Sequence, residues 1–133
     1  MKSMEDKLKE VLSSDEENYV LMADIVRVLA LYYGVLWMGE IVNEIKSFRS
    51  TIEGVDVEEL DANAVRKAVE ALKEMGIISY EIKTRSSFTG ITPVTDLLVK
   101  LVDHSLTLNM LASDERFRRY LVEREKVFRS FTM

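Results

Sequence analysis

The segment from Tyr19 to Tyr33 constrains this chain more than any other. Tyr19, Val20, Leu21, Met22, Ile25, Val26, Val28, Leu29, Leu31, Tyr32 and Tyr33 cover most of a helix's circumference, and only Asn18, Asp24 and Arg27 mark a polar stripe. A helix apolar nearly all round must be buried nearly all round. Two arrangements meet that demand in a chain of 133 residues, a length that suits one domain. Either part of the helix packs against a second subunit, or it lies sandwiched between other helices of the same chain. A domain this small has few elements with which to wrap a helix, which favours the first arrangement.

Composition removes several classes of chemistry. Cysteine is absent, which excludes disulfides and thiolate metal sites. His104 is the only histidine, so no histidine cluster can bind a metal; between Asp103 and Ser105 it reads as a surface or half-buried helix residue. The glycines at positions 34, 39, 54, 76 and 90 are scattered and form no phosphate-cradling loop. Asp114-Glu115 and Glu58-Glu59 are adjacent pairs that diverge on a helix, so neither makes an acid/base dyad. No catalytic residue, metal site or cofactor is expected, and the chain does not read as an enzyme. The longest apolar stretch, Val28 to Met38, is broken by Gly34 and is about half the ~20 residues of a membrane span. The start, Met1-Lys2-Ser3-Met4-Glu5-Asp6, lacks a signal peptide's apolar region, so a cytoplasmic location without membrane contact is expected. Glutamine is absent and Glu, Lys and Arg are abundant. That bias fits a thermophilic source, and it fits chance in a short chain as well.

Along the chain, residues 1–16 read as an N-terminal arm or short helix with Leu8, Val11 and Leu12 as its apolar positions. Ser14 with Glu17, or Ser13 with Glu16, fits a capping box. The apolar helix follows and ends at Gly34. A second helix runs from about Trp37 to Phe48. Arg49 to Asp61 is polar and reads as a loop, with room for one helical turn at Val57 to Leu60. A third helix opens at Asp61 or Asn63 and ends at Met75-Gly76, with Val65, Ala68, Val69, Leu72 and Met75 as its core stripe. Ile77 to Lys83 reads as a strand. Ile91 to Val94 reads as a second, edge strand, because Pro93 cannot donate to a central ladder. Thr95 is expected to cap a fourth helix through Leu97, Leu98, Leu101 and Val102 to about Met110. Ser113-Asp114 starts the last helix, with Phe117, Tyr120, Leu121, Val127, Phe128 and Phe131 as an apolar stripe. It reads as a core-packing or dimer helix with solvated arginines; a surface for nucleic acid or an anionic membrane is the alternative.

The expected fold class is therefore mainly α with a small two-stranded β-hairpin. Helix, helix, helix, hairpin, helix is also the order of a winged helix-turn-helix. Ala-Val-Arg-Lys-Ala-Val-Glu-Ala-Leu-Lys-Glu-Met-Gly-Ile-Ile, within residues 62–78, resembles the recognition helix of small MarR- and PadR-type regulators running into the first wing strand. Ile91-Thr92-Pro93-Val94-Thr95-Asp96-Leu97-Leu98 resembles the second wing strand turning into the next helix. The resemblance covers residues 17–103, with residues 104–133 as a C-terminal helical extension. It departs from the family in the long, acidic stretch of about a dozen residues between the second and third helices, where many such domains have a short turn.

This resemblance implies a binder of double-stranded DNA and a transcriptional regulator, whose third helix enters the major groove. Carried over residue by residue, Asn63, Arg66, Lys67, Glu70 and Lys73 would meet DNA. Asn63 and Arg66 would read bases. Lys67 and Lys73 would hold phosphates, as would Lys83, Arg85, Ser86 and Ser87 in the wing. A homodimer is expected, joined through the apolar first long helix and the C-terminal helix. Charge argues back. The net charge is −5, where DNA binders usually carry a basic footprint. From Ala62 to Val94, Arg66, Lys67, Lys73, Lys83 and Arg85 stand against Glu70, Glu74 and Glu81, a net of +2. The adjoining loop holds Glu53, Asp56, Glu58, Glu59 and Asp61. The exposed stripe thus also reads as an ordinary solvated face with Arg66–Glu70 and Glu70–Glu74 neighbours. The alternative function is a winged-helix protein-interaction module in a larger assembly, without DNA binding.

Overall fold

The structure, a computed structural model, describes residues 2–54, 60–85 and 93–132. Its elements in chain order are α1 (Met4–Ser13), α2 (Glu17–Leu31), β1 (Val35–Trp37), α3 (Met38–Glu53), α4 (Ala62–Glu74), β2 (Ile78–Arg85), β3 (Val94–Leu101), α5 (His104–Leu111) and α6 (Glu115–Thr132). The molecule is mainly helical with a small antiparallel sheet.

The apolar helix α2 is central. Every residue from Leu21 to Ala30 is buried, Asp24 and Arg27 included. α1, α3, α4 and α5 all pack on it. The N-terminal arm is thus a helix with a purpose: Ser3 caps it by accepting from the Asp6 amide at 3.1 Å, and Leu8 and Val11 are fully buried. Four helices of one chain therefore meet the demand that suggested a second subunit. From Leu21 to Ala30 the circumference of α2 is covered by its own chain, and the exposed aromatic groups Tyr32 and Tyr33 follow its C-terminal end. Neither capping box forms at its start. Glu16 is the N-cap without a side-chain bond, Ser13 ends α1, and the Ser14 hydroxyl accepts from the Glu16 amide.

Gly34 ends this segment at φ +83, where its N–H donates back to the Leu29 carbonyl at 2.7 Å and its own carbonyl accepts from the Leu101 amide. A Cβ at Gly34 would lie 3.2 Å from the His104 ring, so glycine is required both for conformation and for space. β1 follows directly after Gly34, inside the apolar run that Gly34 breaks. Three residues without alternation carry too little signal to separate a strand from a buried helix segment. α3 then extends through Glu53 to Gly54 (φ +74), five residues beyond Phe48. The Val57–Leu60 turn expected next lies outside the described residues except for Leu60.

The largest departure from expectation is β3. The Leu97, Leu98, Leu101 and Val102 spacing fits a helix, yet residues 94–101 form the middle strand of a sheet ordered β1-β3-β2. Val99 pairs with Leu36 on one side and Tyr80 on the other. The alternation Leu97, Val99, Leu101 is the competing period, and two partner strands decide in its favour. Pro93 lies just before the strand, so it removes no donor from the ladder and does not make β3 an edge. The fourth helix accordingly starts at His104, not Thr95, and Asp103 caps it by accepting from the Leu106 amide at 3.0 Å.

Candidate nucleic-acid interface

α4 is the element on which sequence and structure agree most closely. Asp61 caps it, accepting from the Asn63 amide at 2.9 Å. Val65, Ala68, Val69 and Leu72 are buried against the core. Gly76 at φ +78 turns the chain into β2. At the C-terminal end Lys7 donates to the Met75 carbonyl at 2.9 Å, a cation placed where the helix dipole favours it. The opposite face, Asn63, Arg66, Lys67, Glu70 and Lys73, is exposed as expected.

That face is broad. Toward α2, Asn63 and Lys67 rim a cavity of about 370 Å³ floored by Leu21, Met22, Ala64 and Ala68. Toward the sheet, Tyr80 stands beside it. The Tyr80 hydroxyl donates to Glu70 Oε1, and Lys73 Nζ lies 4.5 Å from the centre of the Tyr80 ring. That bond to Glu70 raises the Tyr80 hydroxyl above its ordinary pKa. No Arg66–Glu70 pair forms, and Arg66 and Lys67 have no ion-pair partner among the described residues.

The hairpin cations are placed differently. Side chains alternate across a strand, and Tyr80 belongs to the pleat that faces α4. Lys83 and Arg85 belong to the other pleat with Glu81, opposite Asp96 and Val94 of β3. Each is already engaged there. Glu81 holds Lys83 at 3.5 Å and Lys100 at 3.2 Å. The Lys100 hydrogen bond, then the Lys83 charge, keep the Glu81 carboxyl below the usual carboxylate range. Arg85 pairs with Asp96 at 3.2 Å and lies over the Trp37 ring. Asp96 also accepts from the Gly39 amide at 3.1 Å, which ties the hairpin to the first turn of α3. The structure therefore gathers Asn63, Arg66, Lys67, Glu70 and Lys73 on one surface and sets Lys83 and Arg85 on the reverse of the sheet. Ser86 and Ser87 lie outside the described residues.

A second charged constellation went unread in the sequence. Asp24, fully buried, accepts from Arg27 at 2.8 Å, from Arg49 at 2.8 Å and from Arg116 at 2.9 and 3.0 Å. Arg27 in turn grips Asp114 with two bonds, at 2.8 and 2.9 Å, and Asp114 accepts from the Phe117 amide. Burial alone would raise the Asp24 carboxyl, but hydrogen bonds from Arg116 and Arg49 and the charges of Arg116 and Arg27 outweigh it and hold it low. The signal was Asp24 and Arg27 inside an otherwise apolar helix; their partners on α3 and α6 are remote in sequence. This cluster joins α2, α3 and α6 and offers little to a ligand.

His104, at the first turn of α5, packs its ring on Gly34 and leaves Nε2 buried without a hydrogen-bond partner among the described residues. Among the described residues no group of three or more His, Cys, Asp or Glu side chains could hold a metal ion, and no helix is long and apolar enough to cross a membrane. No family model matches the chain, and no curated protein matches its sequence.

Proposed function

We propose that the chain is a winged-helix protein that binds double-stranded DNA and acts in transcriptional regulation. The order α2-β1-α3-α4-β2-β3 with sheet order β1-β3-β2 supports the winged-helix reading. The observation that carries DNA binding is the outer face of α4, where Arg66 and Lys67 stand exposed and, among the described residues, have no acid paired with them. Laid in a major groove, α4 presents Asn63 and Arg66 from its N-terminal half to base edges, where Asn suits adenine and Arg suits guanine. Lys67 and Lys73 hold phosphates, which fix register without reading sequence. Lys83 and Arg85 reach phosphates only by exchanging Glu81 and Asp96 for them.

Two DNA half-sites suit a dimer. The self-association surface is the outer half of α6, where Leu121, Val122, Val127 and Phe128 are exposed beyond the Phe48–Tyr120 ring contact. Sedimentation should report a dimer that Leu121→Glu with Val127→Glu converts to monomer; an unchanged mass rejects α6 as the surface.

The test of DNA binding is fluorescence anisotropy of a labelled mixed-sequence duplex at about 50 and about 200 mM salt. Each neutralised phosphate adds about 0.9 to the salt slope. Binding that weakens steeply with salt and is lost in Arg66→Ala with Lys67→Ala supports the reading. A folded protein that does not bind at the lower salt rejects it. A second reading, a protein-interaction module, is favoured by one observation. Every described hairpin cation is matched by an acid, while Ile82, on the α4 side of the hairpin, is 72% exposed.

A further inference from the structure

Glu70 is the anomaly of the α4 face. It sits between Arg66, Lys67 and Lys73 in a stripe otherwise suited to phosphates, where a carboxylate is repelled by the DNA backbone. On an isolated helix it would pair with Arg66 or Lys73, which are one turn away. It pairs with neither. Its Oε1 takes the Tyr80 hydroxyl from β2, and its Oε2 has no protein donor among the described residues. Lys73 lies against the ring of the same tyrosine, so the ring is restrained by a hydrogen bond at its tip and a cation at its face. A long, exposed carboxylate is thereby held in one orientation with one oxygen open.

We infer that Tyr80 is a positioning residue that fixes Glu70 as the reader of a cytosine amino group, on the α4 face proposed above to meet DNA. Glutamate and aspartate accept from cytosine N4, the one base-edge contact of the major groove that a carboxylate makes well. The inference rests on the DNA reading. It also carries a spacing. Glu70 lies four residues beyond Arg66, about 6 Å along the helix axis, which is at most about two base-pair steps at ~3.4 Å each and fewer for a helix inclined along the groove. The cytosine is therefore expected within about two base pairs of the guanine that Arg66 reads.

The test is selection of binding sites from a randomised duplex pool by wild type, Glu70→Gln, Tyr80→Phe and Arg66→Ala with Lys67→Ala. Wild type should recover sites with cytosine at that offset, preferred on the order of tenfold. Glu70→Gln should lose the preference and favour adenine, which glutamine binds. Tyr80→Phe should keep the preferred base with discrimination weakened about threefold, while salt slope and urea midpoint stay at wild-type values, which a merely structural role would not produce. No cytosine preference in wild type, or identical preferences in Glu70→Gln, overturns the inference while leaving DNA binding intact. Wild type that recovers nothing, or that binds no better than Arg66→Ala with Lys67→Ala, overturns the DNA reading itself.

Discussion

The molecule contains two clusters built from the same kinds of side chain. Beneath α6, Asp24, Arg27, Arg49, Asp114 and Arg116 are packed together and joined by bonds of 2.8–3.0 Å. On α4 and the hairpin, Arg66, Lys67, Glu70 and Lys73 stand in water. A charge removed from water must find its partners inside the fold, and losing one leaves the others buried and uncompensated. A charge left in water gains little from a neighbour and remains available to something else. The first cluster holds three helices in place, whereas in the second Glu70 and Lys73 engage only Tyr80, and Arg66 and Lys67 have no ion-pair partner, among the described residues.

Substitution should separate the two by size of effect. Asp24→Ala leaves Arg27 with Asp114 alone and takes from Arg49 and Arg116 the carboxylate they share. Because those two arginines are partly exposed, the cost in urea unfolding should fall at the lower end for a buried pair, about 3 kcal/mol; a loss near zero would mean that water takes over the carboxylate's role. Next comes Gly34→Ala, which forces a left-handed backbone and pushes a methyl against the His104 ring; about 1–3 kcal/mol is expected. Acid should act through the buried cluster as well. The folded Asp24 carboxyl lies below its unfolded value of about 3.9, so its contribution is complete above that pH and is lost as pH falls through the folded value. The urea midpoint of wild type should therefore drop more steeply below about pH 4 than that of Asp24→Asn. At the small end, Glu81→Gln should leave the midpoint unchanged. By freeing Lys83 and Lys100 it should raise the salt slope of duplex binding by up to about two phosphates' worth. An unchanged slope would place the reverse of the hairpin away from DNA.

Legibility followed the range of the interactions. α4 was readable from its own residues because its cap, its stripe and its terminal glycine are all local. Its exposed face followed from the same periodicity. The sheet was not readable in that way. β1 is three residues inside an apolar run, and β3 offers a helical and a strand period at once, which only partners remote in the chain can decide. The pleat that sends Lys83 and Arg85 away from α4 depends on the register of β2 against β3, so the wing contacts carried over from the family resemblance could not be sorted by face. In the sequence Asp24 and Arg27 form only a polar stripe, because Arg49, Asp114 and Arg116, which pair with them, are remote in the chain. The apolar girth of α2 was read correctly as a demand for burial, and the chain satisfies it with its own helices.

The position of β3 has a consequence for synthesis. Both outer strands wait for the middle one, and the middle one is made last of the three: Val35 finds Lys100 only after α3, α4 and β2 have been translated. Until then Leu36 and Ile78 have no sheet to enter, and the emerging polypeptide exposes unpaired strand edges of the kind that invite aggregation. The helices can gather early around α2, but ribosome-bound chains ending before Val94 should remain sensitive to protease throughout residues 34–38 and 77–85. Protection of both segments should appear together, once Leu101 has cleared the exit tunnel.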